Sequence, residues 1–539
     1  MNRDIVYISD FFLEHVLGGG ELNDDELLKI LNHNNHKILK IRSSSAIIDI
    51  LEQKKDSFFI ISNFIHLSDE CKQYLSDNLD YMIYEHDHKY VSNRNPALFK
   101  NFEVPSREIV NYFFYKNAKS VFCQSGFHKD IVFKNLGLDN IYNVSGNLWS
   151  LETLETMMSF TKNEKTNICS IMNSSTGHKN TSGSIKYANQ NNIEFELIQS
   201  QNYHEFLLKL SKNDKFLFLP KTPETLSRVA VEAKMLGCKV LTNGLVGASQ
   251  ESWFVETGED IIEYMISKRD EVYLKIKELS DIKSDKRKKP LVSIITTFHE
   301  GDKFLNHFMQ NITSQTLFDR CELIIVDAAS EGNEVKIIQS YIEKYKNIIY
   351  HRIDEKLKPT PCMNEAIKLS SGKCLTFALI DDVKKMNCIE LLFKHLEEND
   401  CSLVYGDVIQ IDKENQNFEE HKDSNNLLDH SKHDFSLENM IKCLPGPMPL
   451  WYSSIHNRCG FFDDKDCDYA DDWEMWLRMV SKGYRFKKLN KKVGLYLVGG
   501  RSQQNDTNQR KEESKIFFRY SNIFGNNYKK YYSYFKQFT

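Results

Sequence analysis

Pro290-Leu291-Val292-Ser293-Ile294-Ile295-Thr296-Thr297-Phe298 is an apolar run that starts on a proline and ends on paired threonines and a phenylalanine. It reads as a strand, Leu291–Thr297, opening a new α/β unit. The stretch before it, Asp281-Ile282-Lys283-Ser284-Asp285-Lys286-Arg287-Lys288-Lys289, is charged and nearly devoid of apolar residues, so it reads as a solvated linker, centred on 283–289. Downstream, short apolar runs at Leu323–Val326, Ile348–His351, Cys374–Ile380 and Ser402–Tyr405 continue the unit, and the polar stretch Lys413–His433 reads as an exposed loop. Upstream, runs at Ile5–Ser9, Lys37–Ile41, Phe58–Asn63, Tyr81–Tyr84, Ser120–Gln124 and Ile141–Val144 alternate with amphipathic stretches such as Glu21–Asn32. A second series follows at Asn167–Met172, Glu194–Ile198, Lys215–Leu219 and Lys239–Thr242, closed by a long helix over Glu259–Leu279. Strand–helix alternation of this kind predicts parallel sheets with crossover helices, twice over, before the linker.

Composition narrows the class. The 539 residues suggest three or four compact units at roughly 150 residues each. Hydrophobic residues are 41% and charged residues 27%, which allows a buried core and excludes wholesale disorder. Seventy Lys and Arg against 75 Asp and Glu leave a formal charge of −5, so a strongly basic nucleic-acid coat is excluded and no nucleic-acid partner is expected. The N-terminus lacks a signal-peptide pattern, no apolar run approaches the roughly 20 residues of a membrane span, and the 12 cysteines include no C-x-x-C. Reduced thiols and a cytoplasmic location are the expectation.

The chemistry-bearing residues after Pro290 come in order: Thr297 at the end of the first strand, Ile324-Ile325-Val326-Asp327, Leu379-Ile380-Asp381-Asp382, and Asp471-Asp472-Trp473-Glu474-Met475-Trp476-Leu477-Arg478. The first three put polar or acidic groups at strand ends, the edge where open α/β sheets bind ligands. Paired carboxylates there suit a hard divalent cation whose remaining ligands are water and a substrate diphosphate. Asp471-Asp472 falls at the start of a helix, where the dipole favours acids; an acid beside a sugar donor can also deprotonate an acceptor hydroxyl. Trp473 and Trp476 read as core, Glu474 with Arg478 as an ordinary helix pair, and His421, His430 and His433 as loop histidines and not metal ligands.

These motifs, with Met363-Asn364-Glu365-Ala366-Ile367 before Ser371-Gly372-Lys373, Val404-Tyr405-Gly406-Asp407 and Gly460-Phe461-Phe462-Asp463, resemble the family 2 glycosyltransferases of GT-A fold. The resemblance implies Thr297, Asp327, Asp381 and Asp471 at the nucleotide sugar, Asp382 on Mn²⁺ or Mg²⁺, and Asp472 as catalytic base of an inverting displacement. No Q-x-x-R-W motif is present, which disfavours a processive synthase.

In the first half, Gly18-Gly19-Gly20-Glu21 follows the first strand and opens a helix, a geometry in which backbone amides approach an anion. Glu224 and Glu232 stand eight apart in Pro223-Glu224-Thr225-Leu226-Ser227-Arg228-Val229-Ala230-Val231-Glu232. This resembles the E-x7-E signature of family 4 glycosyltransferases and the wider GT-B fold. It implies Glu224 at the donor sugar, Glu232 at the ribose, and Lys179 and Arg228, with Gly19, at the diphosphate, with no metal needed. His86, at a strand end, is a further catalytic candidate.

The expected fold is α/β: a GT-B-like pair of Rossmann units over 1–282 (lobes about 1–165 and 166–282), the linker, a GT-A-like nucleotide-diphospho-sugar transferase domain over 290–515, and a basic aromatic tail over 516–539. The expected function is transfer of sugar from a nucleotide-sugar donor to a glycan or lipid-linked acceptor in surface polysaccharide synthesis, with one or two active modules. The competing expectations are a single-activity enzyme with a non-catalytic first half, and a non-catalytic glycan-binding protein. The tail could rest on an anionic membrane surface at the inner face of the membrane, or dock as a terminal helix on its own domain.

Overall fold

The computed structural model describes residues 3–199, 202–282, 289–499 and 507–539. Most of the linker, 283–288, lies outside these residues. The chain divides into two compact units, one of Met1–Val104 with Asn111–Lys286, the other of Pro105–Val110 with Arg287–Thr539.

The first unit holds two parallel sheets. In one, β1 (Ile5–Ser9), β2 (Ile38–Arg42), β3 (Phe58–Ile61), β4 (Tyr81–Tyr84), β5 (Val121–Cys123) and β6 (Ile141–Asn143) take the order β2-β1-β3-β4-β5-β6. In the other, β7 (Thr166–Met172), β8 (Phe195–Ile198), β9 (Asn213–Phe218) and β10 (Lys239–Thr242) take the order β10-β9-β7-β8. β1, β3 and β4 are buried at every position. Helices cover both faces of such a sheet, which is why these strands are continuous apolar runs and not alternating ones. Chain order reverses between β1 and β3 and between β7 and β9, so the carboxyl ends of these strands are where a Rossmann-like unit opens a crevice.

The second unit is built on one mixed sheet. Its strands are β11 (Val292–Phe298), β12 (Cys321–Ala328), β13 (Ile348–Ile353), β14 (Cys374–Phe377), β15 (Val383–Lys384), β16 (Leu403–Ile411), β17 (Leu450–Tyr452) and β18 (Phe486–Leu497), in the order β13-β12-β11-β14-β17-β16-β18-β15. The helix Asp302–Thr313 buries Leu305, Phe308, Met309 and Ile312, spaced i, i+3, i+4, i+7, against this sheet's core. Each such side chain contributes roughly 1.5–3 kcal/mol of burial. β18 is long and lysine-rich, and only Phe486 and Val493–Leu495 are buried along it.

The terminal residues do not form a loose tail. Thr507–Arg519 and Asn526–Lys536 are helices, and the expected boundary at 515/516 falls inside the first. Phe517 stacks on Phe535 and Phe524 with centroids 4.3 and 5.2 Å apart, and both of those face Trp473. Phe517, Phe524 and Phe535 are buried. These three rings are thus packed on their own domain, whereas Tyr534 is exposed. No helix among the described residues is long and apolar enough to cross a membrane.

The i,i+4 pair Glu474 and Arg478 is not an ordinary surface pair. Arg478 donates to Glu474 at 2.7 Å and to the carbonyls of Cys459 and Phe461 at 2.7 and 2.8 Å, with both side chains buried. Pro105–Val110 belongs to the second unit because Arg107 bonds Asp463 and Asp466 at 2.5 and 2.9 Å, and Ser106 bonds Asp464 at 2.7 Å. Gly460 sits at φ +74°, and a Cβ there would lie 2.3 Å from the Arg107 carbonyl oxygen. Gly460→Ala should therefore destabilise the second unit by at least about 2 kcal/mol, read as a lowered melting transition by calorimetry. An unchanged transition would show that this close approach is dispensable.

Candidate active site

In the second unit, the helix Asp471–Ser481 begins with two acids. Asp471 and Asp472 lie in the wall of a cavity of about 500 Å³, together with His430, Cys443, Gln509 and Glu513 and an apolar lining that includes Phe377 and Trp473. Asp471 Oδ2 accepts from the Thr360 hydroxyl at 2.9 Å. Asp472 Oδ2 accepts from the Cys443 thiol at 3.2 Å, and its Oδ1 from the Trp473 amide at 2.7 Å. The Cys443 amide in turn donates to His430 Nδ1 at 3.0 Å, leaving the Nε2 of a neutral ring as the one that carries the proton.

Burial and mutual repulsion push the Asp471 carboxyl up to about 7, and burial raises Asp472 as well. The Cys443 thiol is raised by burial and by Asp472, so it is a hydrogen-bond donor and not a thiolate. A carboxyl that gains basicity while remaining in reach of a cavity is suited to take a proton near neutral pH. The segment before the helix is held by Glu512, whose carboxylate accepts the amides of Asp468, Tyr469 and Ala470 at 2.8, 3.0 and 2.7 Å.

At the strand ends, Asp381 and Asp382 follow β14. Asp382 is buried: Oδ1 accepts the Leu497 amide at 3.2 Å, and Oδ2 has no hydrogen-bond partner among the described residues. Burial and the adjacent Asp381 raise its carboxyl well above the ordinary range; burial raises Asp381 too. A carboxylate oxygen in that state fits a divalent cation, which would relieve both penalties, and the half-buried Asp381 is the more open of the two. No cluster of three or more His, Cys, Asp or Glu able to hold a metal occurs among the described residues, so any cation would take most of its ligands from diphosphate and water. Thr297 is half-buried at the end of β11. Asp327 is fully buried and already accepts from Tyr350 at 2.7 Å, Arg352 at 3.0 Å and the Ser330 amide at 2.9 Å.

In the first unit the predicted residues also converge. A Cβ on Gly19 would lie 3.4 Å from Arg228 Cδ, and one on Gly20 would lie 3.4 Å from the His86 ring. His86 Nε2 meets Asp24 at 2.8 Å and its Nδ1 accepts from Gln124 at 2.7 Å, so both ring nitrogens are engaged. Lys179 Nζ bonds both oxygens of Glu224 at 2.9 and 2.8 Å. Arg228 stacks 4.2 Å over Trp149 and donates to the Leu148 carbonyl. Glu232 is buried and accepts from Trp149 Nε1 at 3.0 Å and Tyr203 at 2.5 Å.

Residues 293–461 match the model of Glycosyl transferase family 2, so the second unit carries a domain of that family. The chain is 26% identical over 215 residues to an uncharacterized glycosyltransferase, MJ1057, of Methanocaldococcus jannaschii, covering 40% of this chain and 72% of that one. It is also 26% identical over 128 residues to glycosyltransferase GlyG of Streptococcus pneumoniae, covering 24% of this chain and 42% of that protein. Among solved structures, TarS 1–349 of S. aureus aligns with TM-score 0.36 and 13% identity, over 45% of this chain and 72% of that one.

Asp471 supplies a test with a definite sign. Its folded carboxyl holds a proton up to about 7, whereas the unfolded one loses it near 4. The folded state therefore loses stability as pH rises through that window. Asp471→Asn should raise the melting temperature at pH 8 by several degrees and change it little at pH 4. Equal effects at both pH values would mean that the carboxyl is not held in its acid form.

Proposed function

We propose that the second unit transfers a sugar from a nucleotide-sugar donor to a hydroxyl of a glycan or glycoconjugate acceptor, with Asp472 as general base. The observation that carries this reading is the pair of raised carboxyls in the cavity wall, following the family 2 match. The base-pairing end of the donor would lie over the carboxyl ends of β11 and β12, near Thr297 and Asp327. Asp381 and Asp382 would hold Mn²⁺ or Mg²⁺. When bound, that cation supplies charge neutralisation for the departing diphosphate. Asp472 takes the proton of the acceptor hydroxyl as its oxygen bonds to the anomeric carbon and the bond to the diphosphate breaks. Burial keeps Asp472 basic, and the charge of Asp472 in turn raises Asp471 beside it. Attack from the side opposite the leaving group inverts the anomeric centre.

A panel of nucleotide sugars with Mn²⁺ tests the assignment. Asp472→Asn should lower transfer by about 10²–10⁴-fold, and Asp382→Ala should remove the stimulation by the cation together with most of the rate. Proton NMR of the product should show inversion. Undiminished transfer in the Asp472 variant, or retention at the anomeric carbon, would sink the mechanism.

A second reading is that the chain has two activities and assembles a surface polysaccharide by successive additions. It is favoured by the convergence of the Gly18–Gly20 turn, Arg228 and the Lys179–Glu224 pair at the switch points of the two parallel sheets. Such a site would need no metal, because Lys179, Arg228 and the helix start at Gly19 can face a diphosphate. Glu224→Ala in the full-length protein should then remove one of two products while leaving the other. A product pattern unaltered by Glu224→Ala leaves the chain with a single activity.

A further inference from the structure

The helix Thr507–Arg519 lies beyond the residues matched by the family model, yet it sends two polar side chains into the cavity of Asp471 and Asp472. Gln509 and Glu513 are one helical turn apart on a single face. Gln509 Nε2 donates to Glu513 Oε1 at 2.9 Å, which fixes the amide so that its Oε1 is the remaining acceptor. That oxygen is buried and has no hydrogen-bond partner among the described residues. An acceptor in this state costs about 1–3 kcal/mol unless something donates to it.

The helix is held in place independently of these two residues. Glu512 receives three backbone amides of the segment leading to Asp471, Ser514 donates to the Phe535 carbonyl at 2.8 Å, and Phe517 packs in the aromatic stack on Trp473. Neither Gln509 nor Glu513 is needed to seat the helix, so their position in the cavity calls for another reason.

We propose that Glu513 and Gln509 form the acceptor-recognition pair of this site, and that the acceptor they select is a neutral sugar presenting adjacent hydroxyls. This rests on the glycosyltransferase reading above. A carboxylate accepts from two neighbouring hydroxyls at once, and the Gln509 carbonyl oxygen accepts from a third, whereas phosphate and carboxylate groups offer no donor to either. Sugar C–H faces find Phe377, Phe462 and Trp473 in the same wall. Charge points the same way. Asp471, Asp472 and Glu513 face the cavity together, and its lysine, Lys442, is paired with Asp429 and bonded to His433. An acceptor that carries a phosphate or a uronic carboxylate would meet three acids with that cation already engaged.

Saturation-transfer NMR on the full-length protein tests this with the methyl glycosides of glucose, galactose, mannose and N-acetylglucosamine, and with methyl glucuronide as the anionic probe. At least one neutral glycoside should bind and the glucuronide should not. Affinity for that neutral glycoside should fall at least tenfold in Glu513→Gln and in Gln509→Leu, each checked for a cooperative melt. Binding unaltered in both variants, glucuronide binding as tight as that of the neutral sugars, or no neutral glycoside bound at all would overturn the proposal. Release of nucleoside diphosphate from nucleotide sugars by the unsubstituted chain separates the two levels. Absence of release defeats the transferase reading itself, whereas release without glycoside binding defeats the acceptor assignment alone.

Discussion

Two adjacent carboxyls at one helix start, Asp471 and Asp472, are half-buried in the wall of a cavity, and the surrounding unit holds them there. Burial penalises both, and the charge of Asp472 penalises Asp471 further, so their charged forms are costly. The helix dipole offsets part of that cost, because the acids occupy its first turn and Arg478 its last. The remaining support comes from donors that fix orientation without neutralising: Thr360 on Asp471, and the Cys443 thiol and the Trp473 amide on Asp472. A lysine or arginine in the same place would have lowered both carboxyls and removed their basicity.

The packing around the helix serves that constraint. Trp476 is fully buried among Phe377, Trp451 and Phe462, and the Glu474–Arg478 pair ties the helix to the loop Cys459–Phe461. Removing one partner of such a buried pair typically costs about 3–5 kcal/mol, so the pair fixes the helix axis more than it adds net stability. Glu512 holds the segment ahead of Asp471 from the opposite side. The acids are therefore held by elements far apart in sequence.

That distance explains what the sequence disclosed and what it withheld. The central strands were legible because burial on both faces leaves uninterrupted apolar runs such as Phe58–Ile61 and Leu323–Val326. The acid pairs were legible because they fall where a strand ends or a helix begins. β18, with its Lys487-Lys488-Leu489-Asn490-Lys491-Lys492 stretch, carries too many charges to announce itself as a strand; pairing with β16 and β15 decides it. β17 is three residues long and gives no periodicity. His430 looked like a loop histidine, since only the tertiary fold brings it and Cys443 to Asp472. Gln509, Glu512 and Glu513 belong to no motif, and only the fold brings them to this helix start. The aromatic tail was ambiguous between a membrane surface and its own core, and stacking toward Trp473 puts Phe517, Phe524 and Phe535 in the core. Glu232 has the spacing of a ligand residue, and its hydrogen bonds from Trp149 and Tyr203 are a feature that spacing cannot reveal.

The account stands or falls on whether the buried acid pair supplies the base. The most direct measurement is the rate of sugar transfer as a function of pH at saturating donor. The rate should rise through an acid limb whose midpoint lies above the usual carboxylate range, following ionisation of Asp472, and level off above it. A chain that transfers sugar at a rate independent of pH between about 5 and 8 would contradict the assignment.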